Sequence, residues 1–113
     1  MLNPTPTQAK QVLARLFGWT YHNEEERTGP RCRSPEGTWH FRYPRWTTES
    51  HAAMCLALDL NIIFGMDKER RIAGAGVPDS GVFVEASLDD FHDPYDAVRY
   101  CIVLVAIQVL ESK

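Results

Sequence analysis

Between Ala97 and Leu110 the chain carries a polar group only at Arg99, Tyr100 and Gln108. The residues just before this run read as a helix start. Asp93 can accept a backbone N–H as N-cap, Pro94 suits the first helical position, and Asp96 lies at the third, where its charge favours the helix dipole. The apolar part is shorter than the ~18 residues that a membrane span requires, so the pattern predicts a buried core helix. A helix apolar nearly all round must be covered on more than one side. A sheet on one side, and a second helix or another subunit on the other, would do this. Arg99 and Gln108 are nine residues apart and fall on opposite sides of the helix, so they define no common solvent stripe. This predicts a homo-oligomer, a dimer being the commonest form, built partly on the C-terminal helix unless the N-terminal helix closes the gap.

The remaining elements follow in chain order. Residues 1–6 read as an arm leading into a first helix, with Thr5 as cap, Pro6 at the first position and Gln8 completing a capping box. Val12, Leu13, Leu16 and Phe17 share one face, Lys10, Gln11 and Arg15 lie outside it, and Gly18 ends the helix. Trp19 and Tyr21 suggest a brief extended segment. Residues 22–37, with Gly29-Pro30 and Ser34-Pro35-Glu36-Gly37, read as a long irregular loop. Thr38 to Tyr43 alternates, with Trp39, Phe41 and Tyr43 on one face, and predicts a strand stopped by Pro44. A second helix is expected from Thr47 or Thr48 to about Phe64, ended by Gly65, on the spacing of Ala53, Leu56, Ala57, Leu60, Ile63 and Phe64. Glu69–Ala75 and Gly81–Ser87 read as two short strands joined around Pro78-Asp79-Ser80-Gly81. The order helix, strand, helix, strand, strand, helix predicts an α+β fold with an antiparallel hairpin at its centre.

Composition narrows the class of protein. At 113 residues, with 44% apolar and 24% charged residues, the chain has ordinary globular values and reads as one domain over 1–113. Its net charge of −3 argues against a generally basic nucleic-acid binder and against a strongly acidic mimic. Residues 1–46 hold seven Lys/Arg and four Glu, whereas residues 47–113 hold five Lys/Arg and eleven acids, a balance of +3 against −6. Three cysteines, Cys32, Cys55 and Cys101, cannot all pair within one chain. With Cys55 and Cys101 placed in apolar helical patterns, where both are expected to be buried, the set suggests a reducing, cytoplasmic setting. No signal-peptide pattern opens the chain.

In pattern and order the chain resembles the phage alpha-beta-alpha sandwich domain of small phage and prophage accessory proteins. The resemblance runs from about residue 12 to 111. It is carried by Leu16-Phe17-Gly18-Trp19, the aromatic segment before Pro44, Thr47-Thr48-Glu49-Ser50-His51-Ala52-Ala53, the hairpin, and Asp93-Pro94-Tyr95-Asp96-Ala97-Val98-Arg99. It implies a three-layer-like sandwich, a small antiparallel sheet of about three strands packed with three helices. It also implies an origin in a phage or prophage gene of accessory type, whose product would act in the host bacterial cytoplasm, and brings no catalytic residues. The arginine-rich loop from Arg27 to Arg33 departs from the usual pattern.

The best candidate for binding is the aromatic and basic segment 31–46. Arg31, Arg33, Arg42, Arg45 and Trp46 are its expected binding residues, for a protein, a nucleotide or nucleic acid. Guanidinium groups beside aromatic faces suit phosphate contact with base stacking, and Arg and Trp also dominate protein interfaces. Against this, strand alternation alone accounts for Trp39, Phe41 and Tyr43 as core. Asp89, Asp90, His92, Asp93 and Asp96 lack the glycine-spaced pattern of a calcium loop and suit helix capping. His22, Cys32, His40 and His51 are too widely spaced for a paired zinc motif. Gly74-Ala75-Gly76 has no third glycine or following helix, so it is no dinucleotide fingerprint. Ser34 and Ser50-His51 lack a nucleophile-elbow context. No catalytic residue, metal site or cofactor is therefore expected. The sequence leads to a non-enzymatic accessory binding protein, a candidate antagonist of host defence that sequesters a host or phage protein or a nucleotide signal. The alternative is a small nucleic-acid-binding module using the Arg/Trp segment.

Overall fold

Thr5 opens the first helix with a reciprocal capping box. Its Oγ1 accepts from the Gln8 N–H at 3.2 Å, and its own N–H donates to Gln8 Oε1 at 2.9 Å. In a computed structural model described over residues 4–24 and 28–112, this helix, α1, spans Pro6–Leu16 and buries Ala9, Leu13 and Ala14. Gly18, at φ +97°, turns the chain out of it. Residues 1–3 of the expected arm lie outside the described residues. Thr5→Ala should cost about 1 kcal/mol of stability, read as a lower urea midpoint at unchanged slope.

Next come three two-residue strands, β1 (Thr20–Tyr21), β2 (Cys32–Arg33) and β3 (Trp39–His40), in an antiparallel sheet of order β1-β2-β3. The expected strand over 38–43 is thus only two residues long, and Phe41 is 76% exposed instead of core. The turn before it explains why β3 pairs with β2. Ser34 Oγ accepts from the Thr38 N–H at 3.0 Å, Ser34 N–H donates to Thr38 O at 2.8 Å, and Gly37 takes φ +91°. Part of the expected loop 22–37 is accordingly strand β2, while residues 25–27 lie outside the described residues.

The second helix, α2 (Ser50–Asp59), is shorter than its apolar spacing suggests. Asn61 adopts φ +58°, the Ile62 N–H donates to Ala57 O at 2.8 Å, and the Asn61 N–H reaches Leu58 O at 3.4 Å. This is a Schellman-type ending with asparagine in the left-handed position. Ile63 and Phe64 therefore leave the helix and begin β4 (Ile63–Asp67). The next turn is tied by Asp67 Oδ1, which accepts from the N–H groups of Glu69 (3.0 Å) and Arg70 (3.1 Å). β5 (Ile72–Gly76) and β6 (Phe83–Ser87) follow, joined by the expected turn, in which Ser80 Oγ donates to Val77 O at 2.7 Å. β4, β5 and β6 form the second antiparallel sheet in that order, with Gly65 opposite Gly74 and Gly76 opposite Phe83.

A 3-10 turn, Leu88–Asp90, leads to α3 (Pro94–Glu111). Asp93 Oδ1 caps it through the Tyr95 N–H at 2.9 Å, and Pro94 holds the first turn. The architecture is α+β, three helices with two three-stranded antiparallel sheets. The sheet that α3 packs against is completed by β4, not by the aromatic segment, which sits in a separate sheet. The element order is helix, three strands, helix, three strands, helix.

α3 lies against β5 and β6 on one side and against α1 and α2 on others. Ala73 and Ala75 turn their small side chains to the core and let the helix sit close to the sheet. Ala97, Val98 and every residue from Tyr100 to Ile107 are buried. At its N-terminal end, the Arg99 guanidinium donates to Thr47 O (3.2 Å), to Ser50 Oγ (2.8 Å) and to the Asp96 carboxylate, tying α3 to the start of α2. The Tyr100 hydroxyl donates to Pro4 O. Most of the apolar circumference is thus covered within one chain, and α1 lies on the side that the sequence leaves either to it or to a second copy. Among the described residues no helix is long and apolar enough to cross a membrane.

Candidate functional site

The segment 31–46 does not form one surface, because β2 and β3 divide it. Residues paired across the small sheet share a face, so Tyr21, Cys32 and His40 lie on one side and Thr20, Arg33 and Trp39 on the other. Arg33 accordingly stacks over Trp39, its Cζ 5.7 Å from the ring centroid, away from the α1 side. Arg31 is held by backbone and side chain together. Its Nη1 lies 3.2 Å from Asn23 Oδ1, 3.3 Å from Glu24 O and 3.4 Å from His22 O, and so fastens the loop. Arg45 pairs with Glu49 at 3.4 Å across one turn, a partly exposed ion pair of small energetic weight.

Trp46, expected at the surface, is buried at 7% exposure, its ring 5.7 Å from that of Phe17. It belongs to the core that joins α1 to α2. Of the five expected binding residues, Arg42 reaches a substantial cavity.

That cavity is a groove of about 770 Å³ between α1 and the first sheet, lined by Lys10, Gln11, Arg15, Trp19, Thr20, Tyr21, Cys32, Arg42 and Tyr43. Three cations converge on it. No hydrogen bond or ion pair engages the Lys10, Arg15 or Arg42 side chain among the described residues. The aromatic wall is preorganised: Trp19 meets Tyr43 edge-on at 5.8 Å and 90°, and His40 at 5.1 Å. Tyr21 is 57% exposed and leaves a phenol ring open to a ligand. At the floor, burial pushes the Cys32 thiol above its ordinary range, while Lys10 acts in the opposite direction. Burial likewise raises the Tyr43 phenol, with Cys32 and Tyr21 adding to it and Arg15 opposing it. Both groups stay neutral near pH 7, so among the described residues the lining carries no anion to offset its cations.

Comparison with protein-family models, with curated proteins and with solved structures finds no match. The groove must be judged on its own residues.

Lys10, Gln11 and Arg15 went unassigned because they read as the solvated face of an amphipathic helix. The available signal was that this face carries two cations just before Trp19 and Tyr21, two residues apart and hence on one side of a strand. Elsewhere, no group of three or more His, Cys, Asp or Glu side chains comes together among the described residues. His51 Nε2 lies 3.7 Å from Cys55 Sγ on the open face of α2. Cys55 is thus exposed, contrary to its apolar context, because α2 buries Ala53, Leu56 and Ala57 instead. Cys101 is buried, and burial pushes its thiol up to about 11. A bulky maleimide at neutral pH should therefore label one thiol rapidly, Cys55, and reach Cys32 and Cys101 only in denaturant. Rapid labelling of all three would contradict the packing.

Proposed function

We propose that the protein is a non-catalytic phage or prophage accessory protein of the host bacterial cytoplasm that binds a nucleotide in the groove beside α1. The observation that carries this reading is the convergence of Lys10, Arg15 and Arg42 on a groove walled by Trp19, Tyr21 and Tyr43. Guanidinium and ammonium groups bind phosphate through charge-assisted hydrogen bonds, and the guanidinium fork does so bidentately. A tyrosine face beside them accepts a base by stacking. The resemblance to phage sandwich domains supports the accessory role. In this reading sequestration of a nucleotide signal, rather than its conversion, is how the protein opposes a host defence.

The same groove suits a short single-stranded nucleic acid, and its open form favours this as the second reading. The two differ in salt dependence. A strand that engages several phosphates loses affinity steeply as salt rises, with a slope near −0.7 per phosphate contact.

Calorimetric titration with ATP as probe, alongside adenosine and inorganic triphosphate, tests the proposal. Saturable binding of ATP at one site, weaker for either half-molecule, is expected. Absence of saturable binding for ATP and for oligo(dT) at low salt would contradict both readings. Binding of oligo(dT) alone would select the second.

A further inference from the structure

The face of the β4-β5-β6 sheet turned away from α3 is open, and its composition is unusual. Its residues are Ile63, Gly65 and Asp67 on β4, Ile72, Gly74 and Gly76 on β5, and Phe83, Glu85 and Ser87 on β6. The Phe83 ring lies flat across the central glycines. A Cβ added at Gly76 would stand 3.0 Å from Phe83 Cδ2, and one at Gly74 would stand 3.3 Å from Cζ. Beside it is a shallow depression of about 280 Å³, bordered by Ile63, Phe64 and Phe83. Gly65 has no atom within 4 Å of the position its Cβ would take.

β4 is one of the two edges of this sheet, since it pairs only with β5, as β6 does on the other side. Natural edges are guarded by lysine, proline, bulges or a covering loop. The sequence Ile63-Phe64-Gly65-Met66-Asp67 has no lysine or proline, carries its one charge at the last position, and pairs with β5 without a bulge. Apolar side chains flank the edge on both sides. On the helix-covered side, Phe64 (44% exposed), Met54 (50%) and Tyr95 (62%) border a second cavity of about 290 Å³, with Leu58 (78%) one turn along α2. On the open side Ile63 (63%) stands at the edge, while Phe83 (64%) reaches over β5 from the far strand β6.

We propose that the protein is a two-fold dimer formed by antiparallel pairing of β4 with β4 of a second copy, giving one six-stranded sheet. The area supports this occupant. At roughly 200 Å² for each large side chain, the five exposures beside the edge, Phe64, Met54, Tyr95, Leu58 and Ile63, sum to on the order of 600 Å². A stable interface buries ~800 Å² per partner, and the paired backbone supplies the rest. The edge is also self-complementary. With Gly65 opposite Gly65 of the second copy, Phe64 stands beside Met66 of that copy, and its own Met66 beside the copy's Phe64. Four apolar side chains then close on the helix-covered side, where cross-strand neighbours are near enough to pack. The two-fold axis passes through a residue with no side chain to obstruct the approach.

This proposal is independent of the nucleotide groove, which lies on the other sheet. Light scattering on the eluting peak of the full chain, from micromolar down through a tenfold dilution, should give twice the chain mass of 12.9 kDa. Ile63→Lys places a charge on an already exposed edge position, and Leu58→Glu does the same on α2. Each should raise the dissociation constant roughly a hundredfold or more, because a charge must lose water at the pairing edge. The melting temperature of the monomer in dilute solution should stay near that of the unaltered chain. Amide exchange at 63–67 should be protected in the dimer and quicken in Ile63→Lys. A single-chain mass for the unaltered protein at every concentration would overturn the proposal. So would a dimer that survives both substitutions with exchange at 63–67 unchanged.

Discussion

Trp46→Ala is expected to destabilise the protein by about 3–5 kcal/mol, the range for deleting a large buried aromatic side chain. Trp46 is 7% exposed, packs against Phe17 at the end of α1, and belongs to the same core as α2 and α3. Its removal would open a cavity between elements that α3 alone cannot hold in register. The loss includes both apolar transfer and the dispersion contacts of an indole whose neighbours cannot fully collapse. Chemical denaturation would show it as a large fall in midpoint at a nearly unchanged slope. An unchanged midpoint with impaired ligand binding would place Trp46 at a recognition surface instead. Residual stability near zero is an expected result too, because a domain of this length has only about 5–15 kcal/mol in total.

The second large effect concerns binding rather than stability. Replacing Lys10, Arg15 and Arg42 together by alanine is expected to weaken ATP binding roughly a hundredfold or more. Each charge-assisted hydrogen bond is worth about 1.5–3 kcal/mol, and the three are expected to contact one ligand. The fold should hardly respond, since exposed substitutions away from caps and cores stay within about 0.5 kcal/mol. Arg15 and Arg42 are exposed, and Lys10 is half-buried without a described ion pair. Arg33→Ala serves as a control, because Arg33 lies on the reverse face of the small sheet with Trp39. Equal loss from Arg33→Ala and from the triple variant would point to diffuse electrostatic attraction instead of a defined groove.

What could be read from the sequence divides along a physical line. Local signals that a residue carries by itself survived folding. The Thr5–Gln8 capping box, the Asp93–Pro94 start of α3 and the Pro78–Gly81 turn stand where composition places them. The burial of Ala97, Val98 and Tyr100 to Ile107 also followed, because an almost fully apolar helix has no other stable location. The failures came where period-3.6 and period-2 patterns overlap. Leu60, Ile63 and Phe64 continue the helical spacing of α2, yet Asn61 takes the left-handed conformation that ends it, and Ile63 and Phe64 open an edge strand. At Thr38–Tyr43 the alternation was present, but the chain bends after His40, so Phe41 faces solvent.

The candidate site was only partly legible for a different reason. Arg42 was identified because it sits among aromatics. Lys10 and Arg15 come from a helix separated from it by more than twenty residues, and only the small sheet brings them together. Nearness in sequence also misled at Arg31, Arg45 and Trp46, which fasten a loop, pair with Glu49 and fill the core respectively. A cluster of arginines within fifteen residues is a surface only if the backbone keeps them on one side, and a hairpin separates them instead.

The most direct test is a two-dimensional amide correlation spectrum of the isotopically labelled protein, recorded during titration with ATP at low salt. Dose-dependent shifts are expected at the amides of Lys10, Gln11, Arg15, Trp19, Tyr21, Cys32, Arg42 and Tyr43, with the β5 and α3 core amides unmoved. They should disappear in the Lys10, Arg15 and Arg42 triple variant. Shifts clustered instead on β4, β5 and β6, or none at saturating ATP, would contradict the groove as the binding site.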